Sequence, residues 1–320
     1  MKVIEHLKKT DRPLISFELI PPMRGGDIKK IFSIIEDLLI FKPPFIDITS
    51  HAAEVVYEET STGIKKKIQR KRPGTLGICA LIQHKYNIDT VPHLLTHGFT
   101  REETEDFLIE LRYLGIENIL AIRGDDNGYK KPIPPGRSAN INAVDLVKQI
   151  SNMNKGKYLE ENLLDANASD FCIGVSGYPE KHFESPNLKT DIKNVKAKID
   201  AGADYIVTQM FFDNKNYHNF VKMCREEEIN VPIIPGLKIL TNKSHLINIP
   251  KNFYINLPQE LVDEILSAKP EKHLDIGVEW AANQVEELFN QNVPSVHFYI
   301  MQNSIPIIKL MERLKSKKII

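Results

Sequence analysis

Short apolar runs rich in Val and Ile recur along the chain, separated by stretches whose apolar residues fall three and four apart. Eight runs read as buried parallel strands: LISFELI (14–20), FIDITS (45–50), TVPHLLT (90–96), NILAIRG (118–124), FCIGVSG (171–177), DYIVTQM (204–210), VPIIPG (231–236) and SVHFYIM (295–301). Between them the period changes to that of a helix. Over 27–41 the apolar positions are Ile28, Ile31, Ile34, Ile35, Leu38 and Leu39. Thr100 followed by Glu103 is a capping box that opens a helix running through Leu114, with Gly115 as its C-cap. Comparable patterns cover 141–153, 187–200, 214–227 and 272–291. Strand–helix alternation predicts right-handed βαβ units and a parallel sheet. Eight strands close into a (β/α)8 TIM barrel, so residues 1–320 are expected to form one α/β domain. The GxGxxG fingerprint of the open dinucleotide-binding sheet is absent. A Pro/Gly-rich stretch, 126–140, reads as a long rim loop and a possible lid, and 155–168 as a surface insertion.

The runs carry chemistry-bearing residues at or near their ends: Glu18, Thr49, His93, Asp125, Tyr178 and Gln209. In a parallel barrel these ends form the C-terminal rim, where active sites of this architecture lie. Glu18, flanked by Phe17 and Leu19, would be a desolvated carboxylate with a raised pKa, suited to general acid work, or else a carboxylate satisfied by a helix terminus or an arginine. Asp125 follows Arg123 and Gly124; it could accept a hydrogen bond from a ring N–H or serve as a loop cap, and Asp126 competes with it. Tyr178 and His182 offer an aromatic face and an imidazole for a planar ligand. Asp191, Asn194 and Lys198 follow at helical spacing, as a phosphate-facing set or a solvated face. Gln209 is poor core filler, because burying an unpaired amide costs about 1–3 kcal/mol. His51, His93 and His97 lack metal-ligand spacing, so no metal is expected.

Composition narrows the classes. Lys+Arg and Asp+Glu both total 42, for a net charge of zero. Broad attraction to nucleic acid or a membrane surface is therefore not expected. The local basic cluster at 65–72 reads as a solvated helix end. Cys79, Cys172 and Cys224 form no CxxC and fit small core residues in a reducing, cytoplasmic setting. The N-terminus lacks a signal-type apolar segment, and no apolar run approaches the roughly 20 residues that span a bilayer.

SFELIPP, AIRGDD, GVSGYPEKH, KNVKAKIDAGADYIVTQMFFD, PIIPG and HFY, in that order, resemble the methylenetetrahydrofolate reductases, as does RPGTLGICALIQHKYNIDTVPHLLTHGFTREET. The resemblance runs from about residue 13 to 302 and is to the short, catalytic-domain form. It implies a (β/α)8 barrel holding FAD at the strand ends, reduced by NADH or NADPH, which then leaves. Methylenetetrahydrofolate would next occupy the same face and take hydride from flavin N5. It implies Glu18 as the acid that opens the folate ring, Asp125 beside the flavin and pterin, and Gln209 as a folate ligand. Thr49, His93, Arg123, Gly124, Asp125, Tyr178, His182, Asp191, Asn194 and Lys198 would contact FAD. It also implies a homo-oligomer. Asn303 stands where the family pattern carries an arginine near the folate tail, PGLKIL departs from the usual continuation after PIIPG, and Ile249 aligns with an aromatic that stacks on the nicotinamide in some members. Two other readings stay open on the residues alone: a flavin-free barrel aldolase, and a flavin- or folate-binding subunit reduced by another protein.

Overall fold

The computed structural model describes residues 1–10, 12–125 and 128–320. Its main sheet is built from β1 (Leu14–Leu19), β2 (Phe45–Ile48), β5 (Asp89–Leu95), β6 (Asn118–Ile122), β7 (Cys172–Gly177), β8 (Tyr205–Thr208), β9 (Ile233–Ile234), β10 (Gly236–Leu237) and β11 (Ser295–Met301). Every ladder is parallel, in the order β10-β11-β1-β2-β5-β6-β7-β8-β9. β9 and β10 are two halves of one stave, interrupted at Pro235. One half pairs with β8 and the other with β11, so eight staves close the barrel. Proline has no N–H to give to a ladder, but its carbonyl still accepts from His297 N–H at 2.9 Å. The following Gly236 is required by space: a Cβ there would stand 2.1 Å from the Thr208 carbonyl oxygen.

The helices that the periodicity predicts are formed between the staves. They include α2 (Lys29–Leu39), α4 (Arg101–Tyr113), α5 (Ala143–Met153), α6 (Leu188–Asp200), α7 (Asn214–Glu226) and α10 (His273–Asn290). The capping box of α4 is formed: Glu103 N–H donates to Thr100 Oγ1 at 3.1 Å, and Thr100 N–H to Glu103 Oε2 at 2.8 Å. Gly115 follows with φ +68°. Among the described residues, five α-helices lie outside the predicted set: α1 (Val3–Lys9), α3 (Leu76–Tyr86), α8 (His245–Phe253), α9 (Gln259–Ser267) and α11 (Ile305–Ser316). α3 is apolar on nearly every side, so it shows little helical period.

The basic cluster is not a helix end. Residues 65–67 lie in β4 (Gly63–Gln69), which pairs antiparallel with β3 (Glu54–Thr60) as a hairpin in the loop after β2. Gly63, at φ +135°, makes the turn. Cross-strand pairing sets Lys65 opposite Glu58, and Lys67 Nζ reaches Glu58 Oε1 at 3.1 Å. Opposed charges across the ladder stabilise this strand pair, a non-local effect that local periodicity does not show.

Period-two alternation divides the barrel residues. Phe17, Leu19, Ile46, Ile48, Leu94, Val296 and Phe298 pack outward under the helices. Phe45, Val91, Leu120, Cys172, Tyr205, Val207 and Ile234 fill the lumen, with Val3 of α1 closing its lower end. Val3 N–H donates to Asn118 Oδ1 at 2.8 Å and the Met1 amino group meets Asp89 Oδ1 at 2.7 Å; both partners begin strands. The stretch 155–168 lies on the surface on the way from α5 to β7, held where Leu159 N–H meets Glu105 Oε2 at 2.8 Å.

Candidate active site

β1 turns Phe17 and Leu19 outward, which directs Ser16 and Glu18 into the lumen. The same alternation turns Asp47 of β2, His93 of β5, and His297 and Tyr299 of β11 inward. Glu18 is in register with Asp47 on one side and Tyr299 on the other. His93 Nε2 lies 3.4 Å from Asp47 Oδ2 and 3.6 Å from Glu18 Oε2. Ser16 Oγ pairs with His297 Nδ1 at 2.8 Å. Tyr299 donates to the Thr208 carbonyl at 2.6 Å, and Lys238 Nζ donates to the Tyr299 carbonyl at 3.1 Å.

Electrostatics at this cluster are dominated by lost solvation. Burial raises Glu18 to about 7, with His93 and Lys238 pulling it down and Asp47 pushing it up. Burial also raises Asp47 to about 7, against the opposing effect of His297. His93 and His297 are both lowered by burial, and their carboxylate neighbours only partly offset this. The carboxyls therefore still bind protons as the pH approaches 7, and burial favours the neutral form of both imidazoles. Asp47 Oδ1, His297 Nε2 and the Tyr205 hydroxyl are buried without protein partners.

The rim above carries the remaining predicted residues. Glu18, Asp125 and Gln209 sit at or just beyond the C-terminal ends of β1, β6 and β8, on one mouth of the barrel. Asp125 is exposed; its carbonyl is 3.2 Å from His97 Nδ1. Arg123 pairs with Glu184 at 2.6 Å. Gly124 has φ +85°, and a Cβ there would touch Leu95 at 3.2 Å. Gln209 folds back, its Oε1 accepting from Met210 N–H at 2.9 Å. Thr49 Oγ1 and His51 Nδ1 are buried at the same rim without a partner. The Tyr178 ring meets His182 edge-on at 4.7 Å, and His182, Phe183 and Tyr254 continue as a row of rings 4.6 and 4.8 Å apart.

The α6 set divides. Asn194 is exposed. Asp191 is buried, accepting from His182 N–H at 3.0 Å and Ser185 Oγ at 2.9 Å. Lys198 is buried, donates to the Ser176 carbonyl and is lowered to about 8 by desolvation. Asp191 and Lys198 thus brace the loop after β7 and the end of that strand. The rim loop is described from Gly128 onward; Asp126 lies outside the described residues. Its later part is tied to the start of α4: Lys131 pairs with Glu103, and Arg101 N–H donates to the Ser138 carbonyl at 2.7 Å. Among the described residues, no group of three or more His, Cys, Asp or Glu side chains is arranged to hold a metal.

A family model for methylenetetrahydrofolate reductase matches residues 2–315. The chain belongs to the methylenetetrahydrofolate reductase family. It is 30% identical over 307 residues to the 5,10-methylenetetrahydrofolate reductase of Buchnera aphidicola subsp. Schizaphis graminum, covering 95% of this chain and 91% of that protein. It is 29% identical over 323 residues to methylenetetrahydrofolate reductase 1 of Schizosaccharomyces pombe, covering 98% of this chain but 48% of that one. The chain thus spans about half the length of the eukaryotic relatives it matches and most of the bacterial one. A solved Clostridium thermocellum protein, described as binding two copies of 5-methyl-5,6,7,8-tetrahydrofolic acid, shares the fold at a TM-score of 0.60 and 13% identity, covering 99% and 100% of the two chains.

Within this reductase-family barrel, several site features were not legible in the sequence. Asp47 was hidden in FIDIT, where a charge inside an otherwise apolar run was the available signal. Lys238 and His245 line a cavity of about 180 Å³ with Thr241, Tyr299 and Asn303. Ile249 is buried in a separate cluster with Met210, Phe212 and Leu240, so it presents no surface to a nicotinamide.

Proposed function

We propose that this protein reduces 5,10-methylenetetrahydrofolate to 5-methyltetrahydrofolate with NADH or NADPH, through noncovalently bound FAD. The observation that carries the reading is Glu18: a nearly buried carboxyl, its proton affinity raised to about 7, at the mouth of a barrel of this family. Opening the methylene bridge needs a proton donor in a dry site, and a positioned acid is worth roughly 10²–10⁴-fold.

The rim fits a flavin on its own polar accounting. The buried Thr49 hydroxyl and His51 Nδ1 lack protein partners and would be satisfied by a polar ligand. Gly124 leaves the backbone bare where a ring must approach closely. Thr49, His93, Arg123, Gly124, Asp125, Tyr178, His182 and Asn194 would hold it directly, with Asp191 and Lys198 bracing the wall behind. When bound, FAD supplies the two-electron chemistry between the nicotinamide and the folate. Glu18 would give its proton to the folate ring nitrogen that leaves the methylene carbon. Asp125 would accept from a pterin or flavin N–H, and Gln209 would swing out to pair with the heterocycle. Tyr299 and Lys238 would line the folate side of the mouth. The nicotinamide preference stays unassigned: similar proteins carry both names, NADPH in Caenorhabditis elegans and NADH in Arabidopsis thaliana. A cytoplasmic, homo-oligomeric enzyme completes the proposal.

The test is the visible spectrum of the purified protein before and after anaerobic NADH, then after methylenetetrahydrofolate. A yellow protein bleached by NADH and recoloured by the folate is expected. Glu18→Gln should still bleach but recolour at least 100-fold more slowly. A colourless protein with a borohydride-trappable imine would favour an aldolase and refute the reading.

A further inference from the structure

Lys238, Thr241, His245 and Asn303 meet at the cavity of about 180 Å³ beside the mouth, where β10 and β11 end. Their side-chain acceptors are already engaged. His245 Nδ1 accepts from Thr241 N–H at 3.3 Å, which leaves the ring proton on Nε2. Asn303 Oδ1 accepts from Ile305 N–H at 3.1 Å, and Thr241 Oγ1 from Asn242 Nδ2 at 3.2 Å. Lys238 has no acceptor at all. It spends one N–H on the Tyr299 carbonyl at 3.1 Å and forms no ion pair among the described residues. What these four side chains offer an occupant is donors.

The cavity wall carries no acid. Burial lowers both Lys238 and His245, and the Lys238 charge lowers His245 further; Glu18, at the mouth, draws Lys238 the other way. Two cation-forming groups thus share one concave site without a counter-ion in its lining, a repulsion that a bound anion relieves. A lysine drawn inward is ordinarily paired. The rest of the wall includes Ile239, Ile300, Pro306 and Ile307. Apolar walls beside a single cation suit a carboxylate on an apolar stem, and penalise a phosphate that must give up its water.

We propose that this cavity seats a carboxylate of the folate's aryl-glutamate tail, with Lys238 as its counter-ion and His245 and Asn303 as neutral donors, an assignment that rests on reading the protein as a folate reductase. Lys238 follows directly on β10, whose ladder with β11 fixes its backbone. Its ammonium is a point charge on a flexible stem, so either tail carboxylate can be met. The heterocycle lies beside Glu18 and the tail is held at Lys238. Two anchors on one rigid rim fix the substrate's direction across the mouth, which orients the reacting end. Lys238 touches substrate away from the reacting atoms and sets specificity for an anionic tail.

The experiment measures binding by calorimetry to the purified flavoprotein. The probes are 5-methyltetrahydrofolate, its dimethyl ester with both tail carboxylates capped, and the fragment p-aminobenzoylglutamate. Wild type should prefer the acid to the ester by about tenfold or more, the worth of one charge-assisted hydrogen bond. Lys238→Met should weaken the acid and the fragment by about that factor and leave the ester where it was. Lys238→Arg should keep most of the preference. Lys238→Gln, which can still donate to the Tyr299 carbonyl, serves if the Met variant does not fold. Equal affinity of wild type for acid and ester overturns the proposal. Equal loss of acid and ester in the variants also overturns it, since that is damage to shape. Protein that binds the fragment through Lys238 yet neither folate would sink the reductase reading while leaving a carboxylate site established; no binding of any probe would sink both.

Discussion

Replacing Glu18 with Gln should make the protein more stable, by a gain that builds up above about pH 4.5 and is complete at alkaline pH. Burial raises the carboxyl from 4.5 to about 7 in the folded state. The folded protein therefore holds this proton where the unfolded chain has released it. Any stability tied to Glu18 is fully present below about pH 4.5 and lost as pH rises through 7. The rise from 4.5 to about 7 corresponds to an upper bound of about 3 kcal/mol. The 12% of the side chain that remains exposed keeps some solvation. Asp47, which titrates in the same range, relaxes when the Glu18 charge is gone, so the two must be treated as a pair. Both corrections bring the expected gain for Glu18→Gln to about 1–2 kcal/mol at pH 8. The amide matches the protonated acid in shape, so at pH 4.5 the variant and the parent should unfold together. Urea unfolding of both proteins across pH 4.5 to 8 measures this. A gain that is constant with pH, or larger in acid than in base, would refute the view that lost solvation sets the Glu18 proton affinity.

Two further outcomes follow from packing and polar accounting. Gly236→Ala places a Cβ 2.1 Å from the Thr208 carbonyl oxygen and 2.7 Å from the Tyr299 ring, where the seventh stave is broken. It should cost about 3 kcal/mol or more, read as a lowered urea midpoint, unless the barrel seam opens. Thr49→Val removes a buried hydroxyl that has no protein partner. It should leave the flavin-free protein as stable or about 1 kcal/mol more so, while weakening FAD retention on dilution; a loss of stability without a change in FAD retention would place that hydroxyl outside the flavin site.

What the sequence made legible was what depends on local period. The eight apolar runs and the capped helices between them follow from side-chain alternation and helix spacing, and the family motifs gave the reductase assignment. The pieces that escaped depend on partners far along the chain. Residues 65–67 form a strand because Glu58 and its neighbours lie across from them. α3 lacks an amphipathic stripe because it is apolar on nearly all sides. Asp47 is a mid-run residue, and only the closed barrel reveals that its side chain points at His93. Asp191 and Lys198 have the helical spacing expected of one face, but that face turns inward against β7 and its loop, which spacing alone could not decide.

The short helix at the chain's start has a functional consequence. Val3 stoppers one end of the cylinder, and Phe45, Val91, Tyr205 and Ile234 pack the bore above it. Among the described residues the bore is filled from side to side, so traffic comes and goes by the opposite mouth. On the function proposed above, two bulky visitors that need the same few ångströms beside Glu18 would have to take turns, like callers at a one-window counter, and whatever they exchange would be kept on the premises between visits.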